Sequence, residues 1–232
     1  MPPIDSEKLT AWYNFQAPFY SLWRDAGRHV TFETVLTALG SASSADILDA
    51  GCGSGLFAVP LAVERRCWRI VGLDASAGMI EIARRRQSTL GLVNLDLQVG
   101  DLMRLPFADE SFDAVVLAGV CPNLSDLPGS LQELYRTIKP GGRMVVVEFD
   151  RPRMSLLTRW FFHLMIGGYR IISTILRQFR FAENWSLEAT TILSEDLLNH
   201  LKTAGFEGLS QQQVEGYYVL TVEKPRSSQI PA

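Results

Sequence analysis

The chain has 232 residues, a net charge of -3 and a pI near 5.7. That length favours one domain with a small added cap, able to bury roughly 70–75% of the surface its unfolded form exposes, so neither disulfides nor metals are needed to hold a core. With no basic excess to collect phosphates, a nucleic-acid partner is excluded from expectation, and three cysteines without a CxxC pair argue for a reducing compartment and against both a disulfide framework and a thiolate zinc site.

In chain order, the first forty residues read as a helical cap. Trp12, Phe15, Phe19, Leu22 and Trp23 recur at helical spacings interrupted by Pro18, and a second segment, 27–39, ends at Gly40, a C-cap candidate. The opening MPPIDSEKLTAWYNF carries early acids and has no apolar stretch of signal-peptide length, so a cytoplasmic protein is expected. An apolar run at 45–50 then enters the loop Gly51-Cys52-Gly53-Ser54-Gly55, followed by a helix over 56–66. A strand at 68–74 ends at Asp74, and Ser76 caps a helix reaching about residue 90 with Met79, Ile80, Ile82 and Ala83 on one face.

A third strand at 94–99 runs into Gly100-Asp101-Leu102. A fourth, at 112–120, is nearly all apolar. A helix over 127–138 stops at Lys139-Pro140-Gly141-Gly142, and a fifth strand occupies 143–149. Strands alternating with helices imply right-handed crossovers and a parallel sheet. Runs as continuously apolar as VVLAGV and MVVVEF imply helices on both faces. Residues 151–190 form a helical insert, and a helix at 194–204 precedes strands at 208–214 and 217–223, joined at Glu215-Gly216 as an antiparallel hairpin. The fold expected is α/β: one Rossmann-like domain over 1–232 with a mostly parallel seven-stranded sheet, an N-terminal helical cap and a helical lid. The apolar stretch 154–176 holds Arg159, His163 and Arg170, which is too much charge for a membrane span.

Glycines between a first strand and a first helix let the backbone turn tightly and let a ligand approach the main chain. Dinucleotide enzymes place G-x-G-x-x-G there, whereas here the spacing is Gly51-x-Gly53-x-Gly55. Asp74 is placed to accept from two ribose hydroxyls, or simply to cap a strand end. Asp101 is placed to accept from an adenine amino group, or to close an Asx turn. Asp49, Asp74, Asp101 and the loop all sit at carboxyl ends of strands, where open α/β sheets bind ligands.

The runs ILDAGCGSG, VGLDASAGMIEIARRR, GDLMRLPFADESFDAVV and LQELYRTIKPGGRMVVVEF, in that order, resemble the class I S-adenosylmethionine-dependent methyltransferases. Asn123 with Leu124-Ser125-Asp126, the segment Glu148-Phe149-Asp150-Arg151-Pro152, the later LSEDLLNHLKTAGF and the early FQAPFYSLW are similar to the ubiquinone/menaquinone-biosynthesis C-methyltransferases. Pro122 stands where that family commonly has arginine, and Ser21 where it has an acid. The resemblance implies S-adenosylmethionine as cofactor. Asp49, Gly51 and Gly53 would bound its methionine part, Asp74 and the adjoining Ala75 its ribose, Asp101 and Leu102 its adenine. Met79 would pack near adenine or ribose, or belong to the core, and Leu117 and Ala118 would line the pocket near the sulfonium.

Methyl transfer needs nucleophile, methyl and sulfur in line, an alignment able to supply roughly 7–11 kcal/mol. A base for the acceptor is sought among His163, Tyr20 and Asn123, with Glu148 and Tyr169 as further candidates. His200 reads as a helix-surface residue and His29 as ambiguous. The insert's Trp160, Phe161, Phe162, Met165, Tyr169, Ile171 and Ile172 make either a core helix or a lid over a lipophilic acceptor. Such an acceptor would be quinone-like, phenolic or prenylated. Arg151, Arg153, Arg159, Arg170, Arg177 and Arg180 favour peripheral contact with anionic membrane through 154–180. No metal is expected. Alternatives are a natural-product O- or N-methyltransferase and a cofactor-binding protein of this fold that transfers nothing. An NAD oxidoreductase is disfavoured by the glycine spacing and the KPGG turn.

Overall fold

The computed structural model of the chain describes residues 6–150, 160, 164, 192, 194–214 and 216–226. Its centre is a seven-stranded sheet in the order β3-β2-β1-β4-β5-β7-β6. The strands are β1 (Asp46–Ala50), β2 (Arg69–Asp74), β3 (Leu95–Val99), β4 (Phe112–Ala118), β5 (Ile138–Phe149), β6 (Glu207–Val214) and β7 (Tyr217–Glu223). β1 to β5 pair in parallel, while β7 pairs antiparallel with both β5 and β6. The chain therefore runs outward through β1, β2 and β3, then returns to the far side of β1 as β4. That reversal is the switch point beyond which α/β sheets open a crevice.

Alternation along each buried strand explains the continuous apolar runs. Ile47, Ile70, Val116 and Val145 face one side and pack with α2 (Ala58–Glu64), α3 (Ala77–Leu90) and the end of α1 (Ser6–Leu39). Their neighbours Leu48, Val71, Val115 and Val146 face the other side, under α4 (Leu127–Thr137) and α5 (Ser194–Thr203) through Leu131, Leu134, Leu197 and Leu201. Each side chain is at most 1% exposed, so both faces of the parallel half exclude water.

Three local expectations shift. Pro18 does not divide the N-terminal helix: α1 is continuous over 34 residues. A proline removes one N–H from the ladder, which a long helix can absorb when the turns on either side are held. Here Trp12, Ala17, Val35 and Leu39 are all buried. Gly40, with φ +88 and its N–H on Thr37 O at 3.1 Å, closes that helix. Asn94 precedes β3 rather than opening it, because its Nδ2 donates to the carbonyls of Ala62, Arg65 and Trp68 at 3.1–3.2 Å and gathers three loop ends. Finally, Lys139 to Gly142 lie inside β5. Ile138 already pairs with Phe112, and the register then shifts before Arg143 meets Ala114. A Cβ on Gly142 would fall 2.7 Å from Asp113 O, so the excursion needs glycine.

Candidate functional site

The carboxyl ends of β1 to β4 surround an open cavity of about 1040 Å³, solvent at its mouth included. Asp49, Gly51, Gly53, Asp74, Ala75, Met79, Asp101, Leu102, Ala118 and Asn123 all line it. These residues come from four separate stretches of chain, and the sheet's switch point brings them together.

The glycine loop is anchored before it turns. The N–H groups of Gly51 and Cys52 donate to Leu73 O at 2.7 and 3.0 Å, tying the loop to β2. At Gly51 the backbone has φ +74, and an added Cβ would sit 2.5 Å from Val120 Cγ2. At Gly53 the φ is +54, and an added Cβ would meet nothing within 4 Å, so this glycine's bare face borders open space rather than neighbouring side chains.

The acids do more than face the cavity. Asp74 takes the Gly53 N–H on Oδ2 and the Ser76 N–H on Oδ1, both at 2.8 Å, and so joins the loop to the start of α3. Each carboxylate oxygen has a second lone pair to offer. Burial raises the Asp74 carboxyl above its ordinary range, against the pull of these two N–H groups. Asp49 is 1% exposed, and its Oδ2 accepts the Ala58 N–H at 2.8 Å at the first residue of α2. Burial, with the nearby charge of Asp74, pushes its carboxyl up to about 7. Asp101 is exposed, and its Oδ1 accepts the Met103 N–H at 2.9 Å. The Asx turn and the position on the cavity wall therefore hold together for Asp101. Met79 likewise combines two readings, since it is 1% exposed yet borders the cavity.

Leu117 is a correction. It is fully buried with Leu48, Val115 and Val146 and does not line the cavity. Ala118, the next residue on β4, points to the other face and does. Glu148 is also not at the wall. It is 1% exposed and its Oε1 accepts the N–H groups of Val120 and Cys121, both at 2.9 Å. It thereby fixes the 3₁₀ turn Cys121–Asn123 that carries Asn123 to the cavity. Asn123 Nδ2 donates to Gly119 O at 3.4 Å. Tyr20 lies on α1, but its side chain falls outside the described residues, as do His163, Tyr169 and nearly all of 151–191. His200 is half-buried on α5, away from the cavity lining.

Sequence reasoning missed one wall altogether. Thr10 and Tyr13 reach the cavity from α1. The only signal was their spacing of one helical turn, which any amphipathic helix shows. Leu56, Phe57 and Cys52 complete the apolar floor. Burial drives the Cys52 and Cys121 thiols upward, so both stay neutral. Among the described residues no group of three or more His, Cys, Asp or Glu could hold a metal, and no helix is long and apolar enough to cross a membrane.

Residues 48–146 match a family model described as a methyltransferase domain. The chain is similar to the demethylmenaquinone methyltransferase of Beutenbergia cavernae, 32% identical over 204 residues that span 84% of this chain and 76% of that one. It is 37% identical to the demethylmenaquinone methyltransferase of Symbiobacterium thermophilum over 118 residues, half of this chain and 47% of that relative's length. In three dimensions it resembles the 4+2 cyclase SpnF, with a TM-score of 0.69 and 22% identity, covering 88% of this chain and 83% of that one.

Proposed function

The chain belongs to the class I S-adenosylmethionine-dependent methyltransferases, on the branch of the ubiquinone/menaquinone-biosynthesis C-methyltransferases, and from that premise we propose that it methylates a small lipophilic acceptor, quinone-like, phenolic or prenylated. The observation that carries this reading is the convergence of Asp49, Asp74, Asp101 and the glycine loop on one otherwise largely apolar cavity.

The residues present fit the cofactor. Gly53 leaves space that any side chain would fill, and the acids offer acceptors at three separate points. Asp74 would take the ribose hydroxyls, Asp101 the adenine amino group, and Asp49 with the loop the methionine end. When bound, S-adenosylmethionine supplies a methyl group already activated by its sulfonium. The protein's task is then alignment and exclusion of water. Val120, Asn123 and Leu124 border the cavity beyond Ala118 and would flank the acceptor. Asn123 would orient it by hydrogen bonding, since an amide is a poor base.

Trp160 and Leu164, 64% and 60% exposed, support the further proposal that 154–180 touches membrane where a prenylated acceptor resides. Co-sedimentation with anionic vesicles is the expected result, and absence of binding removes that element. The acceptor is tested with methyl-labelled S-adenosylmethionine against a panel of quinols, phenols and lipids. Label on an apolar quinol or phenol is expected. Transfer only to polar amines or hydroxyls would favour an O- or N-methyltransferase, and cofactor binding without transfer to any acceptor would overturn the enzymatic reading.

A further inference from the structure

One amide holds the N-terminal helix against the cofactor side of the cavity. Asn14 Oδ1 accepts from Ser76 Oγ at 2.7 Å and from Gly78 N–H at 2.8 Å, across 62 and 64 residues of sequence. Ser76 is the N-cap of α3, and its Oγ in turn accepts the Met79 N–H. The Ser76 N–H donates to Asp74 Oδ1. A continuous chain of hydrogen bonds therefore runs from Asn14 through Ser76 to Asp74, and from Asp74 to the Gly53 N–H of the glycine loop.

The other side of this contact is steric. A Cβ on Gly78 would lie 3.1 Å from Asn14 Oδ1, 3.3 Å from Asn14 Cα and 3.4 Å from Asn14 O. Two of these three atoms are backbone and cannot rotate away. A side chain at 78 would therefore press α1 outward by a few tenths of an ångström. The residue before Asn14 is Tyr13, and one turn back is Thr10. Both line the cavity together with the acids at the strand ends.

We propose that Asn14 is a positioning residue for the methyl donor: it clasps α1 to α3 over Gly78, so that Thr10 and Tyr13 are held as a wall of the cavity against the bound cofactor. The inference rests on the cofactor assignment made above. Docked, α1 shields the ribose side of the site and slows release. Undocked, it leaves the acids at the strand ends in place but open to water, so exchange is fast and retention poor.

Asn14 acts only as an acceptor in these two contacts, which gives a discriminating set of variants. Asn14→Ala removes the clasp, Asn14→Asp keeps both accepting positions at a helix N-terminus that favours negative charge, and Gly78→Ala disturbs the same contact from the other side. Dissociation of S-adenosylhomocysteine is followed by stopped flow in each, beside the thermal midpoint and steady-state kinetics. Loss of two ordinary hydrogen bonds predicts about tenfold faster release and about tenfold higher KM for S-adenosylmethionine in Asn14→Ala, with kcat within about twofold. Gly78→Ala should behave alike, and Asn14→Asp should restore slow release. Release rates within about twofold of the parent in both folded Asn14→Ala and Gly78→Ala overturn the clasp, as does a loss confined to kcat. Failure of the unaltered protein to bind S-adenosylhomocysteine at all would instead overturn the cofactor assignment and the clasp with it.

Discussion

The two walls of the cavity are held by different means. On the strand-end wall, buried or half-buried carboxylates grip backbone N–H groups of the glycine loop and of the helix starts after β1 and β2: Asp49 to Ala58, Asp74 to Gly53 and Ser76. The rest of the lining hangs on contacts from farther along the chain, Asn14 on α1 to the start of α3 and Glu148 on β5 to the turn after β4. The first arrangement fixes where charge sits. The second fixes where a helix and a turn sit. A site that must place both a charged cofactor and an acceptor gains from fixing charge and shape by separate contacts.

The largest effect should follow from breaking the strand-end wall. Asp74→Ala removes the acceptor for the ribose and frees the Gly53 and Ser76 N–H groups, so affinity for S-adenosylmethionine should fall about 100-fold or more by calorimetry. An affinity within threefold (roughly 0.6 kcal/mol) would dissolve the contrast between the walls. Gly51→Ala should come next. A side chain at φ +74 with its Cβ against Val120 should cost about 2–4 kcal/mol in denaturant unfolding. A cost confined to a few tenths would show that the loop and the Val120 turn are not in register.

At the turn after β4, Glu148→Gln weakens two charge-assisted bonds to the segment that bears Asn123. KM for the acceptor should rise about tenfold while affinity for S-adenosylhomocysteine changes little. Equal losses on both would merge the two walls into one unit.

The smallest effect is a pH dependence. The folded protein holds the Asp49 proton more tightly than the unfolded chain does, with the carboxyl pushed up to about 7. Its contribution to stability is therefore fully present below the ordinary aspartate range near about 4 and is lost as pH rises through about 7. Asp49→Asn should flatten that fall in stability, measured by denaturant unfolding across the window. In the parent protein, the positive methionine amino group should favour ionised Asp49 and release a proton on binding. At about pH 6 the calorimetric heat should then differ between buffers of different ionisation enthalpy. Identical heats would place the ammonium elsewhere.

The same contrast explains what the sequence disclosed. The glycine loop, Asp74 and Asp101 were legible because each lies at the end of a strand marked by its own apolar run, and strand ends in such a sheet converge. The antiparallel hairpin was legible from Glu215-Gly216 between two strand-like segments. Leu117 was misplaced because β4 is apolar on both faces, so the pattern carries no phase to say whether Leu117 or Ala118 faces the ligand. The KPGG stretch reads as a turn by composition, yet it lies within β5 because Ile138 has already paired with Phe112. Thr10, Tyr13 and Asn14 were invisible as site residues, since their meaning depends on contacts more than sixty positions away.

The central claim is that the cavity is a site for S-adenosylmethionine rather than for a generic nucleotide. Titration calorimetry of the unaltered protein with S-adenosylmethionine, S-adenosylhomocysteine and NAD tests it most directly. One-to-one binding of the first two, with no heat from NAD, is the predicted result; binding of NAD, or silence toward both methyl-cycle ligands in folded protein, would contradict it.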